Sequence, residues 1–307
     1  MRCLVTGASG FLGSSLVRHL LGRQHEVMVL LRPGGTPSRL QDCLNNVQPV
    51  YGDLANAESL RQAIRQQPID AVVHLAWFGA TAEFRNSPKQ ISQNLISTLA
   101  IWEAARAAGC KTWVGLGSQA EYGPCTGILR EDMFPRPVTA YGVAKLAAGL
   151  STAKMSELAG IRHVWLRLLS AYGPGDDQRH MLPSVILDLL AGKKPALTLG
   201  EQVWDYLYVD DAAAAISAVL DVEVTGIFNL GSGTTATIRS IVEQIRDMID
   251  PSLPIGLGEI PYRTDQVMHL QGDITRLTRA TGWRPAISLE RGLAQTIEWY
   301  REKLPRD

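Results

Sequence analysis

The chain has 307 residues, 46% of them hydrophobic and 20% charged, the balance of an ordinary globular protein. Lys and Arg number 30 and Asp and Glu number 30, so the net charge is +0 and the basic excess of a nucleic-acid binder is missing. No apolar run approaches the roughly 18 residues of a membrane span. The four cysteines, Cys3, Cys43, Cys110 and Cys125, form no C-x-x-C pair and no metal-ligand spacing with histidine. They read as reduced thiols, so no metal and a cytoplasmic location are expected, the more so because Cys3–Thr6 enters a strand with no leader before it.

Strands are expected at Cys3–Thr6, Glu26–Leu31, Val47–Tyr51, Ala71–Leu75, Thr112–Leu116 and His163–Leu168. Helices are expected between them at Phe11–Leu21, Leu60–Gln66, Ile91–Ala108 and Ala140–Ala159, the last two closed by Gly109 and Gly160. Alternating helices and apolar strands predict a parallel sheet covered on both faces, a doubly wound α/β fold of the Rossmann type. After Tyr172 the rhythm breaks at Gly173-Pro174-Gly175-Asp176-Asp177, a loop by composition. Helices follow near Leu182–Leu190, Asp211–Leu220, Ile238–Ile249 and Leu289–Leu304, with strands near Ala196–Leu199, Asp205–Val209 and Gly226–Leu230. The expected division is a dinucleotide-binding domain over residues 1–172, with 205–232 returning to it. Residues 173–204 and 233–307 then form a smaller substrate lobe at the carboxyl edge of the sheet.

Gly7, Gly10 and Gly13 stand between the first strand and the first helix, spaced G-x-x-G-x-x-G. Glycines there allow a sharp turn and close approach of a pyrophosphate, and the helix start offers free N–H groups and a positive dipole end to the anion. The second strand ends Leu30-Leu31-Arg32-Pro33-Gly34-Gly35, with no carboxylate to take the ribose hydroxyls of NAD. A guanidinium pairs with a phosphate where a carboxylate repels it, so Arg32, with Arg39 in reach, favours NADP(H) over NAD(H).

Tyr141 and Lys145 lie four apart and so share a helix face. A lysine ammonium beside a tyrosine favours phenolate and lowers the tyrosine pKa, which suits proton exchange with a carbonyl or alcohol oxygen. Ser118, at the end of the fifth strand, is placed to hydrogen-bond the same oxygen.

These pieces occur in one order with others. T-G-A-S-G-F-L-G (6–13), G-D-L (52–54), H-L-A (74–76) and G-S-Q-A-E-Y-G (117–123) come first. Y-G-V-A-K (141–145), R-L-L-S-A-Y-G-P-G (167–175), D-Y-L-Y-V-D-D (205–211) and N-L-G-S-G (229–233) follow. Over nearly its whole length the chain resembles an extended short-chain dehydrogenase/reductase of the nucleotide-sugar epimerase/dehydratase branch. By that resemblance Ser118, Tyr141 and Lys145 are the catalytic set. Gly7, Ser9, Gly10, Phe11, Leu12 and Gly13 form the cofactor turn. Asp53 and Leu54 flank the adenine, Leu75 and Ala76 lie by the nicotinamide ribose that Lys145 also binds, and Tyr172 sits near the nicotinamide. Asn94 matches a family asparagine or serves a helix surface.

The resemblance also sorts reactions. Family dehydratases carry Thr-Asp-Glu where this chain has Ser118, Gln119 and Ala120; an amide and a methyl cannot do that proton chemistry. Two readings remain, an NADPH-dependent ketoreductase acting on a nucleotide-linked 4-keto-6-deoxyhexose and an NAD-dependent epimerase, with Arg32 favouring the first. A non-catalytic NADP sensor on the same fold is a third. Trp77, Ser118, Gln119, Ser170, Arg179, Leu182 and Arg263 are the expected substrate contacts. Two places depart from the family: Trp204 stands where an arginine holds the diphosphate, and Ser170 where an asparagine stands. The two long helices resemble those of the family's four-helix interface, so a homodimer is expected.

Overall fold

The structure, a computed structural model, describes residues 1–65, 67–263 and 266–304. In chain order it opens β1 (Arg2–Thr6), α1 (Phe11–Gly22), β2 (Glu26–Leu31), β3 (Gln48–Tyr51), α2 (Ala57–Arg65) and β4 (Ala71–His74). A π-helical stretch, Gln90–Leu95, leads into α3 (Ile96–Ala107), followed by β5 (Thr112–Ser118), α4 (Ala140–Ala159), β6 (Arg162–Leu168) and β7 (Ala171–Tyr172). Then come α5 (Met181–Leu190), β8 (Ala196–Leu197), β9 (Val203–Trp204), β10 (Leu207–Tyr208), α6 (Val209–Leu220) and β11 (Gly226–Leu230). The chain closes with β12 (Ala236–Thr237), α7 (Ile238–Ile249), β13 (Gly256–Leu257), β14 (His269–Leu270), α8 (Thr275–Thr281) and α9 (Leu289–Lys303).

Among the described residues, seven strands form one sheet in the order β11-β6-β5-β4-β1-β2-β3. Every pairing in it is parallel, with Val5 opposite Val29 on one side and Val73 on the other. Parallel sheets are covered on both faces, which is why β1, β2 and β4 are nearly continuous apolar runs with buried side chains. On one face α1 and α6 pack together; on the other α2 packs on α3. The strand order reverses between β1 and β4, the place where open α/β sheets bind ligands. No helix among the described residues is long and apolar enough to cross a membrane.

A second apolar cluster joins α5, α7 and α9 through Leu182, Ile186, Ile241, Ile245, Leu293 and Ile297. Two small sheets, β12-β9-β14 and β13-β8, edge it. The sequence predicts neither their full extent nor α8, because two-residue strands and a Thr/Arg-rich helix carry no periodicity to read. The expected helix from Ile91 is also altered: its first turns are π-helical rather than α-helical. The amides of both Gln90 and Asn94 reach the loop after β4 from this stretch. The last residue of the expected helix Leu60–Gln66, Gln66, lies outside the described residues.

Candidate active site

The turn after β1 is built on backbone contacts. Gly7 has φ +70°, and a Cβ there would lie 2.7 Å from the Ala76 nitrogen; one at Gly13 would lie 2.1 Å from the Gly7 carbonyl oxygen. Gly7 therefore needs both the positive φ and the bare backbone, and Gly13 lets α1 close onto the turn. Gly10 caps α1 without a side-chain bond, and the first turn holds no acidic residue. The N–H groups at this end are thus uncovered for an anion, and the cradle suits a dinucleotide pyrophosphate. Ser9 is exposed, Phe11 half-buried and Leu12 buried in the core.

β4 is locked beside this turn. Thr6 Oγ1 lies 2.8 Å from His74 Nδ1 and accepts the Ala76 N–H at 3.2 Å, while His74 Nε2 lies 2.9 Å from Thr98 Oγ1. Complete burial holds His74 neutral, its pKa pushed down to about 3. Leu75 and Ala76, half-buried, extend from β4 along the floor of the crevice. Arg32 is exposed at the end of β2. Arg39 instead donates to the Gly175 carbonyl oxygen at 3.0 Å, which fastens it to the loop after β7. Asp53 and Leu54 are half-buried after β3, and Asp53 accepts the Ala55 N–H at 3.0 Å.

The structure brings Ser118, Tyr141 and Lys145 together. Ser118 ends β5, and its Oγ accepts the Ala120 N–H at 3.2 Å. Thr139 caps α4 by accepting the Gly142 N–H at 3.1 Å, which sets Tyr141 in the first turn. Ser118 lies near enough to the Tyr141 hydroxyl to draw its pKa down. Lys145, one turn on, is 3% exposed; its Nζ donates to the Leu116 carbonyl oxygen at 2.6 Å and lies 3.8 Å from the centre of the Trp77 ring. Trp77 also meets Tyr141 edge-on, with ring centres 6.1 Å apart.

The electrostatics differ from the expectation that Lys145 lowers the Tyr141 pKa. Burial is the main influence on Tyr141 and raises its pKa; Ser118 and Arg85 draw it back, while Glu121 adds to the rise. Burial also pulls Lys145 down, to about 7. Desolvation dominates at both groups, so Tyr141 is held protonated and ready to donate.

The remaining expected residues fall in different places. Trp77 is fixed over the site: its indole N–H donates to Gln90 Oε1 at 2.8 Å. Gln90, fully buried, donates to the Gly79 and Phe84 carbonyl oxygens, and Asn94 clamps both backbone groups of Phe78 at 2.8 Å. Asn94 is therefore a buried clamp and not a helix-surface group. Gln119 is half-buried beside Ser118. Tyr172 does not turn its ring to the crevice. It is 2% exposed in the α5–α9 cluster, and its hydroxyl donates to the Leu289 carbonyl oxygen at 3.2 Å. Leu182, also 2% exposed, packs in the same cluster and offers no free surface. Arg179 pairs with Asp177 and lines a 960 Å³ cleft with Phe11, Arg39 and Trp299, on the α1 side rather than over Tyr141. Arg263 is exposed. Trp204 and Ser170 meet, the indole N–H donating to Ser170 Oγ at 2.8 Å.

Sequence reasoning did not single out Glu121, Arg167 or Gln90. The signals available were a carboxylate in a strand-end motif, an arginine inside a buried strand and an amide four residues before Asn94.

A glycine cradle at the switch point of a parallel sheet, next to a Ser-Tyr-Lys cluster with Ser118 and Lys145 buried, defines a dinucleotide-dependent oxidoreductase of the short-chain dehydrogenase/reductase type. The profile described as "NAD dependent epimerase/dehydratase family" matches residues 3–231, and the chain belongs to that family. It is 27% identical to dTDP-glucose 4,6-dehydratase 1 of Escherichia coli (strain K12), over 98% of this chain and 92% of that protein. Among solved structures it resembles the UDP-glucose 4-epimerase of Thermotoga maritima with UDP-glucose, at 25% identity, TM-score 0.88 and coverage of 99% and 100% of the two chains. The Thermus thermophilus UDP-glucose 4-epimerase in complex with NAD matches at 27% identity and TM-score 0.87, again over 99% and 100%.

Proposed function

We propose that this protein reduces a keto group on a nucleotide-linked 4-keto-6-deoxy sugar, using NADPH. The observation that carries the reading is the Ser118–Tyr141–Lys145 cluster, flanked by residues that offer no second acid or base. Gln119 and Ala120 cannot transfer protons, and the neighbouring carboxylate, Glu121, is fully buried and ion-paired to Arg167 at 2.8 Å. The water elimination of the dehydratase relatives thus lacks its groups here. Arg32, exposed where a ribose-binding carboxylate would stand, supports NADPH.

When bound, the nicotinamide supplies the hydride. Tyr141, protonated at neutral pH, gives its proton to the carbonyl oxygen, and the neighbouring Ser118 hydroxyl holds that oxygen. Lys145 is fixed by the Leu116 carbonyl one turn from Tyr141, where it would hold the cofactor ribose, and burial draws its pKa down to about 7. Trp77, Gln119 and Ser170 line the sugar side, with Arg263 at the phosphate side. Residues 1–172 and 205–232 serve as the cofactor domain, and 173–204 with 233–307 as the substrate lobe.

An NAD-dependent epimerase is the second reading, favoured by the structural likeness to epimerases. Purified protein, a nucleotide-linked 4-keto-6-deoxyhexose and NADPH separate the two. Stoichiometric loss of the NADPH absorbance supports reduction. Interconversion of nucleotide sugars with no net cofactor change supports epimerisation. We further propose a cytoplasmic homodimer through α3 and α4, whose outer faces expose Ile96, Val143, Leu150 and Leu158.

A further inference from the structure

We propose that Glu121 is a positioning residue of the reaction: its buried carboxylate, paired with Arg167, fixes the Ser118 backbone and sets the electrostatics around Tyr141 and Lys145. The proposal rests on those residues being the reacting groups. Glu121 Oε1 accepts the Ser118 N–H at 2.8 Å and the Trp165 indole N–H at 3.0 Å, while Oε2 accepts from Arg167 Nε at 2.8 Å. Both charged side chains are about 98% buried or more. The Arg167 guanidinium lies 4.5 Å from the centre of the Tyr122 ring, whose hydroxyl donates to Asn229 Oδ1 at 2.6 Å.

The chain makes room for this group. A Cβ at Gly117 would sit 2.4 Å from Glu121 Oε1 and 2.3 Å from Trp165 Nε1, and Cβ atoms at Gly115 and Gly149 would strike the Trp165 ring. Three glycines on two elements therefore seat the indole that steers Glu121. A buried ion pair is a costly way to cap one short turn, and replacing such pairs by apolar groups is often neutral for stability. Its location, bonded to the residue that meets Tyr141, suits a chemical role.

The charges facing the site come from each element around it. Arg85 faces Tyr141 from the loop before the π-helical stretch, Glu121 faces both Tyr141 and Lys145, and His74 on β4 is neutral. Arg167 on β6 faces Glu121, and Tyr122, pushed up to about 12 by burial, stays protonated. Glu121 raises both Tyr141 and Lys145, so loss of its charge moves both to lower pH.

The test is a pair of double variants, which avoid leaving one charge buried alone. Glu121→Gln with Arg167→Gln keeps an oxygen for the Ser118 N–H and removes both charges. Glu121→Leu with Arg167→Leu removes the oxygen as well. Folding is checked by circular dichroism and by retained NADPH affinity. The expected result for the Gln pair is a pH profile of kcat displaced acidward by roughly one unit. The Leu pair is expected to lose a further tenfold or so in kcat, with KM changed less. A Gln-pair profile that overlays the wild type overturns the charge role, and equal kcat in the two pairs overturns the positioning role. Full turnover by Tyr141→Phe overturns instead the catalytic reading beneath it.

Discussion

The indole N–H of Trp204 donates to the Ser170 hydroxyl at 2.8 Å, so the two places where the chain departs from its family's pattern are bonded to each other. Indole has a single donor, and this bond uses it. The rest of the indole is an apolar plane, packed on Leu129, Leu169 and Leu270. Replacing the pair together, Trp204→Arg with Ser170→Asn, introduces a guanidinium and an amide at that wall. The double variant is expected to bind UDP or dTDP roughly tenfold more tightly, since a charge-assisted hydrogen bond contributes about 1.5–3 kcal/mol. Isothermal titration calorimetry checks this; unchanged affinity places the diphosphate away from β9.

Tyr141→Phe removes the proposed proton donor and leaves the ring against Trp77. Turnover is expected to fall by about 10²–10⁴. The dissociation constant for NADPH, followed by fluorescence titration, is expected to stay within about twofold, because the hydroxyl faces Ser118 and not the glycine turn.

Arg32→Asp reverses the charge at the end of β2. The ratio of NADPH to NADH dissociation constants is expected to shift towards NADH by tenfold or more, since a carboxylate repels a ribose phosphate and accepts ribose hydroxyls. An unchanged ratio means that Arg32 does not contact the cofactor.

Gly13→Ala puts a methyl where 2.1 Å separates the Cβ position from the Gly7 carbonyl oxygen. Neither side of that contact is a flexible side chain, so α1 must move off the turn. Stability is expected to fall by about 1–3 kcal/mol, read as a lower midpoint in urea, and NADPH binding to be lost with it.

Lys145 supplies a pH test. Its pKa is about 7 in the folded protein and 10.5 as the ordinary value, so between these values the unfolded chain binds more protons than the folded one. Unfolding free energy therefore rises with pH across that window, and the cost of the buried lysine is fully present below pH 7. Lys145→Met is expected to be the more stable protein at pH 6, by a few kcal/mol at most. The difference should shrink to little by pH 10 in urea titrations, and the variant should be inactive. A constant difference across pH would mean that the lysine is not strained by burial.

Much of the site is legible because it is local. The strand, glycine turn and first helix span about twenty residues, and Tyr141 and Lys145 share a face through helical spacing alone. The apolar strands of the main sheet announce themselves for the same reason. Other features read wrongly. Tyr172 looks like a site residue in R-L-L-S-A-Y-G-P-G, yet its ring is drawn into the α5–α9 cluster by apolar neighbours that arrive later in the chain. Arg39 looks available to a phosphate, yet the carbonyl of Gly175, 136 residues away, holds it.

The sequence by itself determined the doubly wound sheet, the glycine turn and the Tyr141–Lys145 pair, because each is encoded in periodicity or spacing within a turn or two of chain. Tertiary structure alone decided what surrounds that pair. Glu121 meets Arg167 across 46 residues, Thr6 meets His74 across 68, and Trp204 meets Ser170 across 34. Burial sets the charge of Tyr141 and Lys145, and burial depends on how distant segments pack, which no local pattern contains.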